Sequence, residues 1–231
     1  MSELSSAASA AAPAQPKAEP AAAKRTRNSE KTKAAILVAA RAEFAERGFE
    51  GARVDAIAAR AGANKRLLYH YFGNKEEVYR AVLLDAYEEI RRGERALSLD
   101  QYGPVDAMDR LVRFTFRHFL ANPWFPRILG TENIENARFL KTLPNIKALH
   151  SPLVGQIRTI VERGADAGSF RRDVDPVQLY ISIAALGIFY VSNMATLSVI
   201  FDRDLAAIDM VQEREGQAVQ MVLDYLRTKP A

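Results

Sequence analysis

Along most of this chain apolar residues recur every three or four positions, the spacing of one face of an α-helix. Over residues 29–47 that register is kept by Ile36, Leu37, Ala40 and Phe44. Asn28 or Ser29 stands where a cap belongs, and Gly48 where the helix should stop. A short second helix is predicted over 54–61, with Val54, Ile57, Ala58 and Ala61 inward and Gly62 at the left-handed closing position. Asn64 can cap a third helix running through Phe72, because its side-chain oxygen can accept from a free backbone N–H of the first turn. Asn74 and Glu77 make a capping-box-like start for a fourth, expected to reach Arg92 or slightly beyond.

The pattern continues as a larger helical portion. In 105–120 the residues Met108, Leu111, Val112, Thr115, Phe116, Phe119 and Leu120 form one stripe, with Arg110, Arg113 and Arg117 away from its centre. Prolines 123, 126, 144 and 152 are expected to cut the next region into short pieces, with helix resuming over Leu153–Ala167 and closing at Gly168. Asp175 and Pro176 supply an N-cap and an N1 proline for a long apolar helix to about residue 200. A last helix is expected over about 204–227, with Ile208, Val211, Val219, Val222, Leu223 and Leu226 inward. No segment competes with the period of a strand, so the predicted fold class is all-α.

Composition narrows the function. The 231 residues suffice for one large or two small domains, and 48% hydrophobic residues allow a sizeable core. The absence of cysteine excludes disulfides, thiolate metal sites and a cysteine nucleophile, and fits a reducing, cytoplasmic setting. His70, His118 and His150 lie far apart with no ligand spacing, so neither a metal nor another cofactor is expected. The first 23 residues are Ala/Pro/Ser-rich and lack bulky side chains after Leu4; they read as a disordered tail rather than a signal peptide. Leu179–Phe201 is the one stretch that mimics a membrane span. Its serines, Asn193, Thr196 and Gly187 point instead to a buried or interface helix, with no membrane partner.

Charge is distributed unevenly. The formal net charge is +4, yet residues 24–75 hold 12 Lys/Arg against 5 Asp/Glu, while 76–231 hold 19 against 21. Such asymmetry suggests a polyanion-binding portion joined to a portion with another task. Within the basic portion, two short helices flank Ala61–Asn64, the layout of a helix-turn-helix that presents its second helix to the major groove. Leu68 and Phe72 should face inward onto Ile57. Lys65 and Tyr69, Arg66 and His70, and Arg66 and Tyr69 are then neighbours at i, i+4 or i, i+3 on the outward side. Cations at a helix N-terminus oppose its dipole; a phosphate or a guanine edge would justify them.

The stretch "VDAIAARAGANKRLLYHYFGNKEEVYRAVL" resembles the DNA-binding domain of TetR-family transcriptional repressors. The resemblance covers about residues 28–92 and rests on Ile57-Ala58, Ala61-Gly62, Tyr69-x-Tyr71-Phe72 and Lys75-Glu76. It implies that Lys65, Arg66, Leu67, Tyr69, His70 and Tyr71 face DNA and that Lys75 holds a phosphate. "KRTRN" (24–28), with Arg25 and Arg27, resembles the basic arms of some members. Arg53 replaces the usual Ser or Thr cap before the second helix, a weaker cap that adds a candidate phosphate contact. Tyr71 could instead be core, since it neighbours Phe72 and Leu67 at helical spacing.

The implied organisation is a tail (1–23), a helix-turn-helix domain with basic arm (24–75), a connecting helix (76–92) and a ligand-binding and dimerisation domain (93–231). The resemblance implies that the last two helices form a homodimer interface, and their excess apolar surface points the same way. Candidate residues for a small-molecule effector are Arg117, His118, Trp124, Phe125 and Arg127, with Asn133, Tyr180 and Asn193 as polar positions on apolar helices. The expected function is a ligand-responsive dimeric regulator that represses by holding a palindromic operator and lets go when an effector binds. A constitutive architectural DNA-binding protein is one alternative. An all-α enzyme is another, but no acid/base or nucleophile cluster stands at diagnostic spacing.

Overall fold

A computed structural model describes residues 21–227, with side chains from residue 28 onward. The expected tail through residue 20 and the side chains of Arg25 and Arg27 lie outside the described residues. Helix α1 spans Ala21–Gly51. It begins earlier than the expected cap at Asn28 or Ser29: the Asn28 carbonyl accepts from Thr32 Oγ1 at 2.9 Å, so Asn28 sits inside the helix. The backbone of 24–28 is therefore helical rather than a separate arm. Gly48, at φ 66° and ψ 179°, breaks the helical path where expected.

Helices α2 (Val54–Arg60), α3 (Lys65–Phe72) and α4 (Lys75–Ala96) follow the hydrophobic pattern closely. Asn64 Oδ1 accepts from the Leu67 N–H at 2.8 Å and Asn74 Oδ1 from the Glu77 N–H at 2.9 Å, fixing where α3 and α4 begin. Ile36, Phe44, Ile57, Leu68, Val78 and Tyr79 are sealed into one core shared by α1–α4. α4 then leaves this core, and its Ala86 and Ile90 join Phe119 and Phe125 in a small middle cluster.

The remaining helices are α5 (Pro104–Ala121), α6 (Trp124–Ile134), α7 (Ile146–Asp166), α8 (Pro176–Phe201) and α9 (Ile208–Leu226). Two expectations are corrected. Pro126 lies in the first turn of α6, where its missing N–H has no intrahelical partner to lose, so it opens a helix instead of cutting one. Pro152 lies inside α7, which starts at Ile146 and not at Leu153. Ala148, whose carbonyl loses its donor there, and Pro152 itself are exposed, so water can replace the lost bond. The last helix starts at Ile208; residues 202–207 form a turn, entered through Asp202 at φ 51° and tightened by Asp204 Oδ1 accepting from the Ala206 N–H.

Gly187 does not interrupt α8. A side chain there would put its Cβ 2.9 Å from the Phe119 ring, so the glycine lets α5 and α8 touch. α5, α7, α8 and α9 share the second large core, built on Met108, Leu111, Ile157, Ile183, Val219 and Leu226. No strand occurs among the described residues; a single bridge pairs Phe170 with Arg227. The architecture is all-α, an N-terminal helix-turn-helix unit joined through α4 to a larger helical body.

Candidate functional site

α3 carries its apolar and polar residues on opposite sides. Leu68 is fully buried, and Phe72 packs against the same core. Lys65, Arg66, Tyr69 and His70 are all exposed, with Tyr69 showing 40% of its surface. The four therefore stand together on the outer face, carried by a helix whose start is pinned by Asn64 and whose underside is pinned by Leu68.

Two features of this face were not legible in the sequence. Lys65 Nζ lies 3.0 Å from Asp55 of α2, and hydrogen bonding to that carboxylate raises the ammonium's pKa. Both groups remain largely exposed, so water screens the pair and leaves the lysine available to a stronger anion. The second is Glu43, a buried carboxylate on α1 that accepts from the Arg53 N–H at 3.2 Å and lies 3.7 Å from Arg60. It satisfies the backbone N–H of the cap residue Arg53, whose own side chain makes no cap bond to the first turn of α2. Arg60 also forks onto Glu46 at 2.6 and 3.0 Å. The signal available was Glu43 at i−1 from the core residue Phe44, inside an apolar run.

The other expected contact residues divide. Arg53 is exposed at the start of α2. Leu67 is half-buried, so part of its side chain reaches the surface. Tyr71 is half-buried against the core, with Lys33 Nζ 5.8 Å from its ring centre. Lys75 Nζ donates to the Glu50 carbonyl at 3.2 Å and lies 4.8 Å from the Phe49 ring, which holds it at the start of α4.

The expected effector residues do not form one pocket. His118 and Phe125 meet at 5.9 Å between ring centres, and Phe125 touches Trp124 at 5.8 Å. Burial lowers the His118 pKa. Trp124 donates to Asn122 at 3.1 Å, and the Arg41 guanidinium of α1 sits 4.3 Å above its ring, so Trp124 clamps α6 to α1. Arg41 in turn pairs with Asp85 and Glu89 of α4. Arg117 borders the same surface cleft as His118 and is forked onto Glu215 of α9 at 2.5 and 3.0 Å. Arg127 and Asn133 are exposed, and Asn193 donates to the carbonyl of Phe189 in its own helix. Tyr180 alone leads to a polar interior: its hydroxyl accepts from Arg91 Nη2 at 3.1 Å. Arg91 and Glu94, absent from the sequence-based set, are each 2% exposed. Burial pushes the Glu94 carboxyl up to about 7 despite Arg91 and Arg95 beside it.

A capped, cationic recognition helix in a helix-turn-helix, joined to an all-α body, defines a helix-turn-helix transcriptional regulator. Residues 36–82 match the family model described as bacterial regulatory proteins, tetR family, and residues 104–222 match the tetracyclin repressor-like C-terminal domain. This chain belongs to the TetR family. It is 37% identical over 172 residues to the HTH-type transcriptional repressor NicS of Pseudomonas putida, covering 74% of this chain and 81% of that one. It is 30% identical over 164 residues to the regulator RutR of Escherichia coli K12, covering 70% and 74%. Among solved structures, the transcriptional regulator SCO4942 of Streptomyces coelicolor superposes with a TM-score of 0.62 at 26% identity, over 84% of this chain and 98% of that one. Regulators of this family bind DNA operators and act as homodimers.

Proposed function

We propose that this chain is a cytoplasmic repressor that occupies a palindromic operator through α3 and is released by a small-molecule effector. The observation that carries this reading is the exposed quartet Lys65, Arg66, Tyr69 and His70 on a helix capped at one end and buried along its back. Arg66 and Lys65 suit guanine edges and phosphates; the tyrosine suits ribose and phosphate. Arg53 and Lys75 flank the quartet as phosphate contacts. One such helix reads few bases, so two must act together on half-sites about one helical turn apart.

The pairing surface we assign is α8 with α9. Val177, Ile181, Phe189, Met221 and Tyr225 are exposed large hydrophobics there, and the last three line an apolar cleft of about 550 Å³. α8 is long and apolar enough to cross a membrane, and 17% of its most apolar window is buried within one chain. A second copy of the same two helices would cover that surface as a four-helix bundle, and isologous packing suits a palindromic site. Effector release is then a population shift: a ligand that prefers a body in which the two α3 helices are misplaced lowers operator affinity by its differential binding.

The test is a gel-shift titration on an operator selected by the purified protein from random duplexes. Lys65→Ala and Tyr69→Ala should each abolish binding while size-exclusion still reports a dimer. Unchanged affinity would overturn the assignment of α3.

A further inference from the structure

Helix α2 lacks both halves of a local capping box. The Arg53 side chain makes no bond to the first turn, and Ala56, three residues on, has no side-chain acceptor to return to the Arg53 N–H. With seven residues, α2 is also too short to hold itself helical, so its place must come from its contacts. One polar contact reaches it from α1. Glu43, 4% exposed, accepts from the Arg53 N–H at 3.2 Å through Oε1, and its Oε2 lies 3.7 Å from Arg60 Nη2 at the other end of α2. A single buried carboxylate therefore touches the first and the last residue of that helix. Withdrawing a carboxylate from water is costly, and an aliphatic side chain would fill the place beside Phe44 without that cost.

We propose that Glu43 is a positioning residue for operator recognition: from α1 it supplies the returning half of the cap that α2 lacks, and so fixes the seat from which α3 reads DNA. α2 is what α3 rests on. Ile57 and Leu68 belong to one sealed core, and in the turn between the helices the Ala63 N–H donates to the Ala58 carbonyl at 3.0 Å. Asp55, in the first turn of α2, faces Lys65, the first residue of α3. That pair is exposed and screened, so it follows the position of α2 and does not set it. The bond from Glu43 is shielded from water and acts two residues before Asp55, at the point where the chain enters α2. Loss of that bond lets the start of α2 shift on α1, and the base-reading face of α3 shifts with it. Contacts to phosphate tolerate such a shift better than contacts to base edges, so selectivity suffers before general DNA binding does.

The inference rests on the reading of α3 as the DNA-reading helix. It is tested in the full-length protein by the ratio of affinities for the selected operator and for a scrambled duplex of the same length. Glu43→Gln keeps an acceptor for the Arg53 N–H; Glu43→Met has nearly the same shape and no carboxyl oxygen. Glu43→Met should lower the ratio by about tenfold or more, because both protomers lose the cap, while the scrambled duplex binds as before and size-exclusion still reports a dimer. Glu43→Gln should stay within about threefold of the parent. A merely structural role would lower the denaturation midpoint of Glu43→Met and leave the ratio of the folded dimer where it was. If Glu43→Met does not fold, Glu43→Met/Ala56→Gln, which gives the Arg53 N–H a local acceptor, should fold and regain the ratio. An unmoved ratio in folded Glu43→Met, equal losses in the two single variants, or a double variant that stays unfolded would each overturn the proposal. Unchanged operator affinity in Lys65→Ala would sink the α3 reading and this inference with it. Loss of affinity in Lys65→Ala beside an unmoved ratio in Glu43→Met would sink this inference alone.

Discussion

Two sets of positive charge in this molecule obey opposite rules. On α3, Lys65 and Arg66 stand in water, where an ammonium or guanidinium costs little whether or not it has a partner. On α4, Arg91 stands where water is excluded, so each unpaired N–H is a demand on its surroundings. The first arrangement is available to any polyanion that approaches with the right shape. The second is shielded from solvent, so its charges are stabilised only by the groups packed against them.

The contrast can be broken most severely in the core beneath α3. Leu68→Ala removes the fully buried side chain that fixes α3 to its core, and should cost about 2–5 kcal/mol in urea denaturation. Operator affinity should fall with it, while size-exclusion still reports a dimer.

A smaller effect is expected from Glu94→Gln. Because the folded pKa of Glu94 is raised to about 7, the native state holds a proton that the unfolded chain releases near 4.5. That contribution is complete below pH 4.5 and is lost as pH rises to and through 7. The stability of Glu94→Gln relative to the parent should therefore improve between pH 5 and pH 8, read from denaturation midpoints. A flat difference would show that the Glu94 carboxyl is not raised.

The smallest effect belongs to the surface. Asp55→Asn frees Lys65 from its exposed partner. Stability should not change measurably, and affinity for non-specific duplex should rise slightly at low salt. A marked loss of stability would mean that the pair is a structural tie and not a screened one.

The same contrast explains what could be read from the sequence. α3 was legible because its signals are local: Asn64 before the first turn, Lys65 and Arg66 directly after it, and Leu68 and Phe72 four apart. Gly48, Gly62 and Asn74 were legible for the same reason, since a cap or a left-handed turn is a property of a few neighbouring residues. Pro152 misled, because whether a proline cuts a helix depends on whether the orphaned carbonyl can reach water, and that is a tertiary fact. The surroundings of the effector candidates were less local: Arg117 is drawn across to Glu215 of α9, and Arg127 is exposed on α6, which no spacing along one helix foretells. Arg91 and Glu94, in the run "EEIRRGERA", looked like solvated charges. One signal was present: Glu94 follows Leu83, Ala86 and Ile90 along a single buried stripe, so its carboxylate continues an apolar face.

The most direct measurement is the salt dependence of operator binding by the parent and by Arg66→Ala, followed by fluorescence anisotropy from 50 to 300 mM salt (roughly the range over which counterion release is resolved). The parent should lose affinity steeply and log-linearly with salt, and Arg66→Ala should bind more weakly, by about ten- to a hundredfold, while remaining dimeric. Equal affinities and equal slopes for the two proteins would contradict the assignment of α3 as the DNA-reading helix.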